Sequence, residues 1–398
     1  MIKRIGMLTS GGDCQALNAT MRGVVKGLTN NVDELEVYGF DDGYKGLIYG
    51  KYRMLTSKDF SGILTQGGTI LGTSRQPFKL MRVPDENGLD KVEAMKQTYY
   101  KLCLDCLVIL GGNGTQKTAN LLREEGLNII HLPKTIDNDI GITDHTPGYG
   151  STARYIARTT AEIGADVKSL PIHVCILEAM GRNAGWITAA SALARKKHGD
   201  APHLIYLPER PFREEEFLAD VKELYDRLGG VVVVASEGLK DESGKPVVPP
   251  IFQTGRSVYY GDVGAYLAEL VIKKLGIKAR SEKPGLCGRA SISLQSPVDR
   301  EEAVLAGREA LKAAMEGCTG IMIGFARREQ EKYEVCPIRI PVEQVMLTER
   351  TVPASYINNR GNDVTDAFVS WCRPLTGEEI PDYIDFQEIY RERREDRE

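Results

Sequence analysis

Short apolar runs rich in valine and isoleucine alternate along the chain with longer segments whose apolar residues recur at helical spacing. This is the pattern of βαβ units feeding a mostly parallel sheet. Ile2–Leu8 predicts a strand and Asn18–Leu28 the helix after it. The unit recurs with Cys106–Leu110 then Gln116–Glu124, with Ile172–Leu177 then Ala184–Ala194, with His203–Leu207 then Glu214–Leu228, and with Gly230–Ala235. A doubly wound α/β architecture follows. The stretch 238–256, GLKDESGKPVVPPIFQTGR, combines Gly, Pro and charge and predicts a surface excursion, and the tail from Arg391 is a solvated charge run.

Length and composition narrow the partners. With 398 residues, 42% hydrophobic and 27% charged, the chain is long enough for two domains. The net charge of −4 is spread along the sequence, which argues against nucleic acid or an anionic membrane as partner. No stretch approaches the roughly 18 apolar residues of a membrane span, and the start MIKRIGMLTSGGDCQ has the wrong flanks for a signal peptide, so a cytoplasmic protein is expected. Eight cysteines in so long a chain suit reduced thiols. Cys103 and Cys106, a lone Cys-x-x-Cys, are expected to be buried structural thiols rather than a redox or metal pair.

Glycine-rich turns end several of the strands, where open parallel sheets bind ligands. Ser10–Asp13, SGGD, lies between a strand and a helix, so backbone N–H groups can approach an anion with no Cβ in the way and the helix start adds its positive end. Tight packing alone would also explain a Gly-Gly turn. No Gly-Lys-Ser/Thr follows, and Gly-x-Gly-x-x-Gly is absent there, which disfavours a P-loop or a nicotinamide-binding sheet. Gly111–Thr115, GGNGT, repeats the device, and two such cradles suit a chain of phosphates. Pro133–Asp139, PKTIDND, spaces Asp137 and Asp139 by two; in an extended segment both carboxylates would face one side, as a base and a metal-proximal acid require, whereas the bland alternative is an Asx-type turn.

SGGD, GGTILGTSR (Gly67–Arg75), GGNGT, PKTIDND, EAMGRNAG (Glu178–Gly185) and ASEG (Ala235–Gly238) occur in the order of the motifs of phosphofructokinases, which the chain resembles over most of residues 1–330. The resemblance implies two doubly wound, Rossmann-like, three-layer α/β domains with the active site in the cleft between them. Residues 1–148 plus about 288–345 would hold the phosphoryl donor, and 149–287 plus about 346–398 the sugar phosphate. It implies transfer of a phosphoryl group from ATP to the 1-hydroxyl of fructose 6-phosphate, with Mg2+. Asp137 would be the general base, with Thr135 and Asp139 orienting substrate and metal. Arg75 and Arg182 would embrace the transferring group. Gly11, Gly12, Gly112, Gly114 and Lys134 would hold the donor, and Asn113 and Asp139 would stand near the metal. Met180, Gly181, Arg182 and Glu237 would contact the sugar, and Arg280 and Arg289 its 6-phosphate. Part of that site would come from a second subunit of a homodimer or homotetramer.

Three departures bear on function. Asn113 stands where the family has a metal-proximal aspartate, Leu286 where it has a phosphate-contacting histidine, and His173 where it has an arginine supplied across the subunit interface. Donor choice divides, because Gly114 resembles the ATP-using branch and leaves room for a nucleotide, while Lys134 resembles the pyrophosphate-using branch. Steric room favours ATP, with pyrophosphate as the alternative. A non-catalytic sugar-phosphate or nucleotide sensor is the other alternative, opposed by the retention of Asp137, Asp139, Arg75 and Arg182. YINNRGND at Tyr356–Asp363 is expected to be a loop closed by Asx turns.

Overall fold

A computed structural model describes residues 4–27, 35–74, 76–170, 173–254, 257–346, 349–377 and 379–380. Its larger sheet has seven strands, in the order β13-β12-β5-β4-β1-β2-β3. They are β1 (Arg4–Thr9), β2 (Glu36–Phe40), β3 (Tyr52–Leu55), β4 (Cys106–Gly111), β5 (Ile129–Pro133), β12 (Ile321–Arg327) and β13 (Val335–Pro341). The inner pairs are parallel and the two edge strands, β3 and β13, run antiparallel. β4 and β5 are buried along their whole length, as expected of strands covered on both faces.

The second sheet has four parallel strands in the order β11-β6-β8-β7. They are β6 (Val174–Ala179), β7 (Leu204–Tyr206), β8 (Val231–Ser236) and β11 (Ala279–Glu282). Both sheets are α/β layers, and one apolar core runs continuously between them, from Ile5 and Val108 of the first to Leu177 and Val234 of the second through Tyr149 and Trp186. Separate apolar clusters fill the outer face of each sheet.

Several element boundaries differ from the sequence expectation. The helix after β4 starts at Asn113, immediately after Gly112, because the glycines need not delay the helix when backbone groups rather than side chains open it. Ala184–Ala194 resolves into a short helix, Trp186–Ala190, and a 3-10 turn, Ser191–Ala194. The chain returns to the first sheet late: helix Pro297–Met315 lies on helix Leu17–Lys26, and β12 adds to β5. That helix pair is close because it meets at glycines, since a Cβ at Gly23 would stand 2.2 Å from the Val304 carbonyl and one at Gly307 2.2 Å from that of Thr20.

In 238–256 the excursion ends in a two-stranded hairpin, β9 (Pro250–Thr254) with β10 (Ser257–Tyr260), which carries exposed Ile251 and Phe252. The eight cysteines are free; Cys106 is buried in β4, but Cys103 is exposed, because it closes the preceding helix in a left-handed turn at the surface rather than entering the strand. Among the described residues no helix is long and apolar enough to cross a membrane. Arg75 and the tail from Arg391 lie outside the described residues.

Candidate active site

β1 and β4 are neighbours, and from them the chain proceeds to opposite sides of the sheet, to β2 and to β5. The glycine turns that follow them therefore meet at the point where an open sheet leaves a crevice. Ser10 N–H donates to the Leu110 carbonyl at 2.8 Å, which sets Gly11-Gly12 beside Gly111-Gly112. Gly112 precedes the helix Asn113–Glu124 without a side-chain cap, so its first N–H groups are available to an anion. A Cβ built on Gly114 meets no atom within 4 Å, which leaves open space over this helix start.

Two cations line the cradle. The Lys134 side chain, 3% exposed, turns beneath the first turn and its ammonium donates to the Gly12 carbonyl. The Arg289 guanidinium reaches the same place from the short helix Cys287–Ala290, since a Cβ on Gly12 would be 2.8 Å from its Nη1. Arg280 lies elsewhere. It sits on edge strand β11 opposite Cys175 and lines a groove of about 440 Å³ with His173, Tyr155 and Lys283. Within one chain the two arginines thus stand on different elements, Arg280 on β11 and Arg289 on the short helix Cys287–Ala290. His173 is 1% exposed with both ring nitrogens unpartnered, and burial and then Arg280 hold its pKa below the usual value. Leu286 is 63% exposed.

The segment after β5 is not extended as the spacing of Asp137 and Asp139 suggested. It bends at Ile136–Asp137, and Asn138 takes a left-handed φ of 53°. Asparagine tolerates that conformation better than most residues. Thr135 Oγ1 accepts from Asp137 N–H at 3.1 Å, and buried Asn138 Oδ1 accepts from Thr146 N–H at 3.1 Å and from Arg350 Nη1 at 3.2 Å. The turn, rather than strand periodicity, sets the two aspartates.

Both carboxyls are perturbed. Burial, and next the carboxylate of Glu237, push Asp137 up to about 6, with Arg289 and Lys134 opposing. Burial, and next Asp137, push Asp139 up to about 7. Asp139 Oδ2 accepts the Asn113 amide at 2.5 Å, while its Oδ1 is buried and has no hydrogen-bond partner. An oxygen left in that condition suits a cation. Among the described residues no cluster of three or more His, Cys, Asp or Glu side chains could hold a metal; the unpartnered carboxylate oxygen of Asp139 is of the hard-oxygen type that suits Mg2+.

The loop that carries these residues is pinned farther along. Gly148 N–H donates to Asp299 Oδ1 at 2.8 Å. His145 stands between Asp144 at 2.8 Å and Glu302 at 2.7 Å, and although burial opposes it these carboxylates hold its pKa up to about 9.

The second sheet brings the facing residues. Glu237 follows β8, and its carboxylate accepts from Gly181 N–H at 3.3 Å, fixing the turn that carries Met180 and Arg182. Ser236 Oγ donates to the Gly181 carbonyl at 2.8 Å, and Gly238 packs so closely that a Cβ there would lie 1.8 Å from the Arg182 carbonyl. Arg182 itself is exposed, its guanidinium 5.6 Å from the centre of the Tyr260 ring. Glu349 and Arg350, which carry no local motif, join the two sides. Ile140 and Glu349 form a β-bridge, and Glu349 Oε1 accepts from Asn183 Nδ2 at 2.9 Å.

The family profile described as phosphofructokinase matches residues 4–314. A Rhodospirillum rubrum protein named pyrophosphate–fructose 6-phosphate 1-phosphotransferase is 34% identical, the match covering 95% of each chain. A Spirochaeta thermophila protein named ATP-dependent 6-phosphofructokinase is 37% identical over 89% of this chain and 94% of its own. The crystal structure of a pyrophosphate-dependent phosphofructokinase from Marinobacter aquaeolei superposes with a TM-score of 0.83 at 29% identity, covering 96% of this chain and 94% of that one. With matches of this extent, this chain belongs to the phosphofructokinase family.

Proposed function

We propose that the protein transfers a phosphoryl group from ATP to the 1-hydroxyl of fructose 6-phosphate. The observation that carries this reading is the meeting of three groups in one crevice: a glycine cradle backed by Lys134 and Arg289, the perturbed pair Asp137 and Asp139, and the Glu237 and Met180–Arg182 turn from the other sheet. Phosphoryl transfer asks mainly for positioning and for charge stabilisation, and each of these groups supplies one of the two.

Asp137 takes the proton from the sugar hydroxyl. A carboxylate whose pKa is near 6 is a stronger base than an ordinary aspartate yet remains ionised at neutral pH. Thr135 holds that residue through its backbone N–H. Gly11, Gly12 and Gly112 present N–H groups to the donor phosphates, with Lys134 neutralising charge from below. Arg289, at Gly12, is placed to meet the same phosphates, and Arg75 is proposed from its motif alone. Met180, Gly181, Arg182 and Glu237 orient the sugar, and Arg280 receives its phosphate in a groove at the edge of the second sheet, where a second subunit of a homo-oligomer would close it. Asp139, with the Asn113 amide oxygen, would hold Mg2+, which supplies charge neutralisation across the phosphates when bound. The first sheet with its returning strands would serve the donor and the second the sugar phosphate.

The open space at Gly114 favours ATP, because a nucleotide's inner phosphate and sugar need room that an acidic side chain there would deny. Lys134 favours pyrophosphate, and relatives of both names exist. The deciding measurement is steady-state turnover of fructose 6-phosphate and Mg2+ with either donor side by side. Turnover with ATP is expected; turnover with pyrophosphate alone reverses the donor, and binding without turnover would favour a sensor.

A further inference from the structure

Arg350 belongs to a segment with no recognised motif, yet it touches the turn that sets both aspartates. Its backbone N–H donates to the Asp139 carbonyl at 2.7 Å, and its Nη1 donates to Asn138 Oδ1 at 3.2 Å. Its guanidinium lies 4.3 Å from the centre of the Trp186 ring and 5.4 Å from that of Trp371. The Trp186 indole N–H closes the arrangement by donating to the Arg350 carbonyl at 3.1 Å. Among the described residues Arg350 forms no salt bridge; its guanidinium meets aromatic faces and one amide oxygen, and the Asp144 carboxylate acts on its charge from farther off. The neighbouring Glu349 reaches Asn183, the residue after Arg182. Val352 N–H, two residues beyond Arg350, donates to Glu209 Oε1 at 2.9 Å, and the same oxygen accepts from Gly185 N–H at 2.8 Å. One short segment therefore bonds to the aspartate turn on one side of the crevice and to the Arg182 turn on the other.

We propose that Glu349 and Arg350 are positioning residues for phosphoryl transfer, Arg350 by holding the left-handed turn at Asn138 that aims Asp137 and Asp139, and Glu349 by tying that turn to the sugar-binding turn through Asn183. The proposal rests on the phosphotransfer reading above. The physical reason is that a left-handed asparagine is a sparsely populated state that persists only when its surroundings over-determine it, and here Thr146 and Arg350 both bond its side chain. An arginine held against the faces of two indoles that pack on each other, their ring centres 5.0 Å apart, has few ways to move, so it fixes its partner well.

The test is a double-mutant cycle in the full chain. Arg350→Met keeps an unbranched apolar stem against the indoles but removes the bond to Asn138, and a displacement of the aspartates by a fraction of an ångström to 1 Å is expected to lower kcat by up to about 10²-fold while KM for fructose 6-phosphate stays within about threefold. Asn138→Gly removes the other end without penalising the left-handed φ, and is expected to give a similar loss. The double variant is expected to be no worse than the poorer single one, because both break the same link. Glu349→Ala is expected to raise KM for the sugar phosphate with a smaller change in kcat. Arg350→Lys, which folds with the charge retained but cannot stack as a plane, is expected to fall between wild type and Arg350→Met, and serves in its place should the Met variant fail to fold.

The chain's two tryptophans are the rings that Arg350 touches, so their emission reports the link without catalysis. Asn138→Gly is expected to shift the ligand-free emission of the wild type and to leave that of the Arg350→Met variant unchanged. Wild-type kcat in Arg350→Met, multiplying losses in the double variant, or an emission insensitive to Asn138→Gly would each overturn the proposal. Should the wild type turn over neither donor, the phosphotransfer reading fails, while the emission cycle still decides whether the link exists.

Discussion

The two sides of the crevice are built to different standards of rigidity. On the side of the larger sheet several polar groups are locked: Lys134 is bonded to the Gly12 carbonyl, Asp139 is bonded to Asn113, and the chain beyond Asp139 is held by Asp299 at Gly148 and by His145 between Asp144 and Glu302. On the side of the smaller sheet only the backbone of the Met180–Arg182 turn is fixed, by Glu237 and Ser236, while Arg182 is exposed and Arg280 lies in a groove at an edge strand. Groups that touch developing charge gain from being preorganised, since they then need no reorganisation at the moment of reaction. Groups that only recognise a substrate can order when it arrives. The contrast identifies where substitutions should act on turnover and where on affinity.

The largest effect is expected on the locked side. Asp137→Ser removes the proposed base and should lower kcat by about 10²–10⁴-fold with sugar-phosphate binding, measured by calorimetry, nearly intact. Near-normal turnover would remove Asp137 from its role and with it the contrast. Lys134→Met is expected next, since a buried ammonium leaves both a phosphate and the Gly12 carbonyl without a donor. Hydrogen bonds of charged groups contribute about 1.5–3 kcal/mol, so donor KM should rise roughly 10- to 100-fold while KM for the sugar phosphate holds. A rise confined to the sugar phosphate would place Lys134 on the wrong side of the crevice.

How much of this was legible beforehand depends on whether a residue's role is set locally. The glycine turns were, because an apolar run such as Cys106–Leu110 that ends in glycines marks both a buried strand and the turn that closes it. The parallel core of the larger sheet followed from the same runs. At Asn138 the spacing of the two aspartates favours extended backbone over the Asx-type turn, and the left-handed φ there goes with the turn, for which asparagine between two aspartates is a usable signal. Glu349 and Arg350 were not legible at all, since their contacts lie about two hundred residues away and leave no periodicity behind. YINNRGND was read as a closed loop, and Asn358 and Asn362 do bond each other at 2.9 Å, yet the cluster also anchors outward, Asn362 to Asp220 at 2.6 Å and Asp363 to Arg195 at 2.8 Å. Its polar residues hold the C-terminal segment to the smaller sheet's helices and do not line the crevice.

The locked side should also cost stability in a pH-dependent way. Burial, and then Asp137, raise the folded pKa of Asp139 to about 7 from 3.8, so the folded state favours the protonated form. Its contribution to stability is complete below pH 4 and is lost as pH rises to about 7. Asp139→Asn removes that loss and can still accept the Asn113 amide. Its melting temperature is expected to exceed the wild type's by a few degrees at pH 8 and to match it near pH 4, while turnover falls. A lower melting temperature at pH 8 would mean that the carboxylate is not held there against its own ionisation.

The smallest expected effect is the most specific to the electrostatics of the crevice. In the proposed role Asp137 acts ionised, so kcat/KM should fall as pH drops through about 6. Glu349 raises Asp137 and Arg289 lowers it, so changing either moves that limb without touching the base. Glu349→Gln keeps an acceptor for Asn183 and removes the charge, and the limb should move to lower pH by roughly 0.2–0.5 unit, the scale of a screened charge near a protein surface. Arg289→Met should move it up by a similar amount, and both shifts should shrink at high salt. Arg350→Met, which acts through geometry, should leave the limb in place while lowering kcat. Opposite movements at Glu349 and Arg289 with none at Arg350 would separate charge from positioning in a single set of profiles; movements of the same sign would mean that the acid limb belongs to another group.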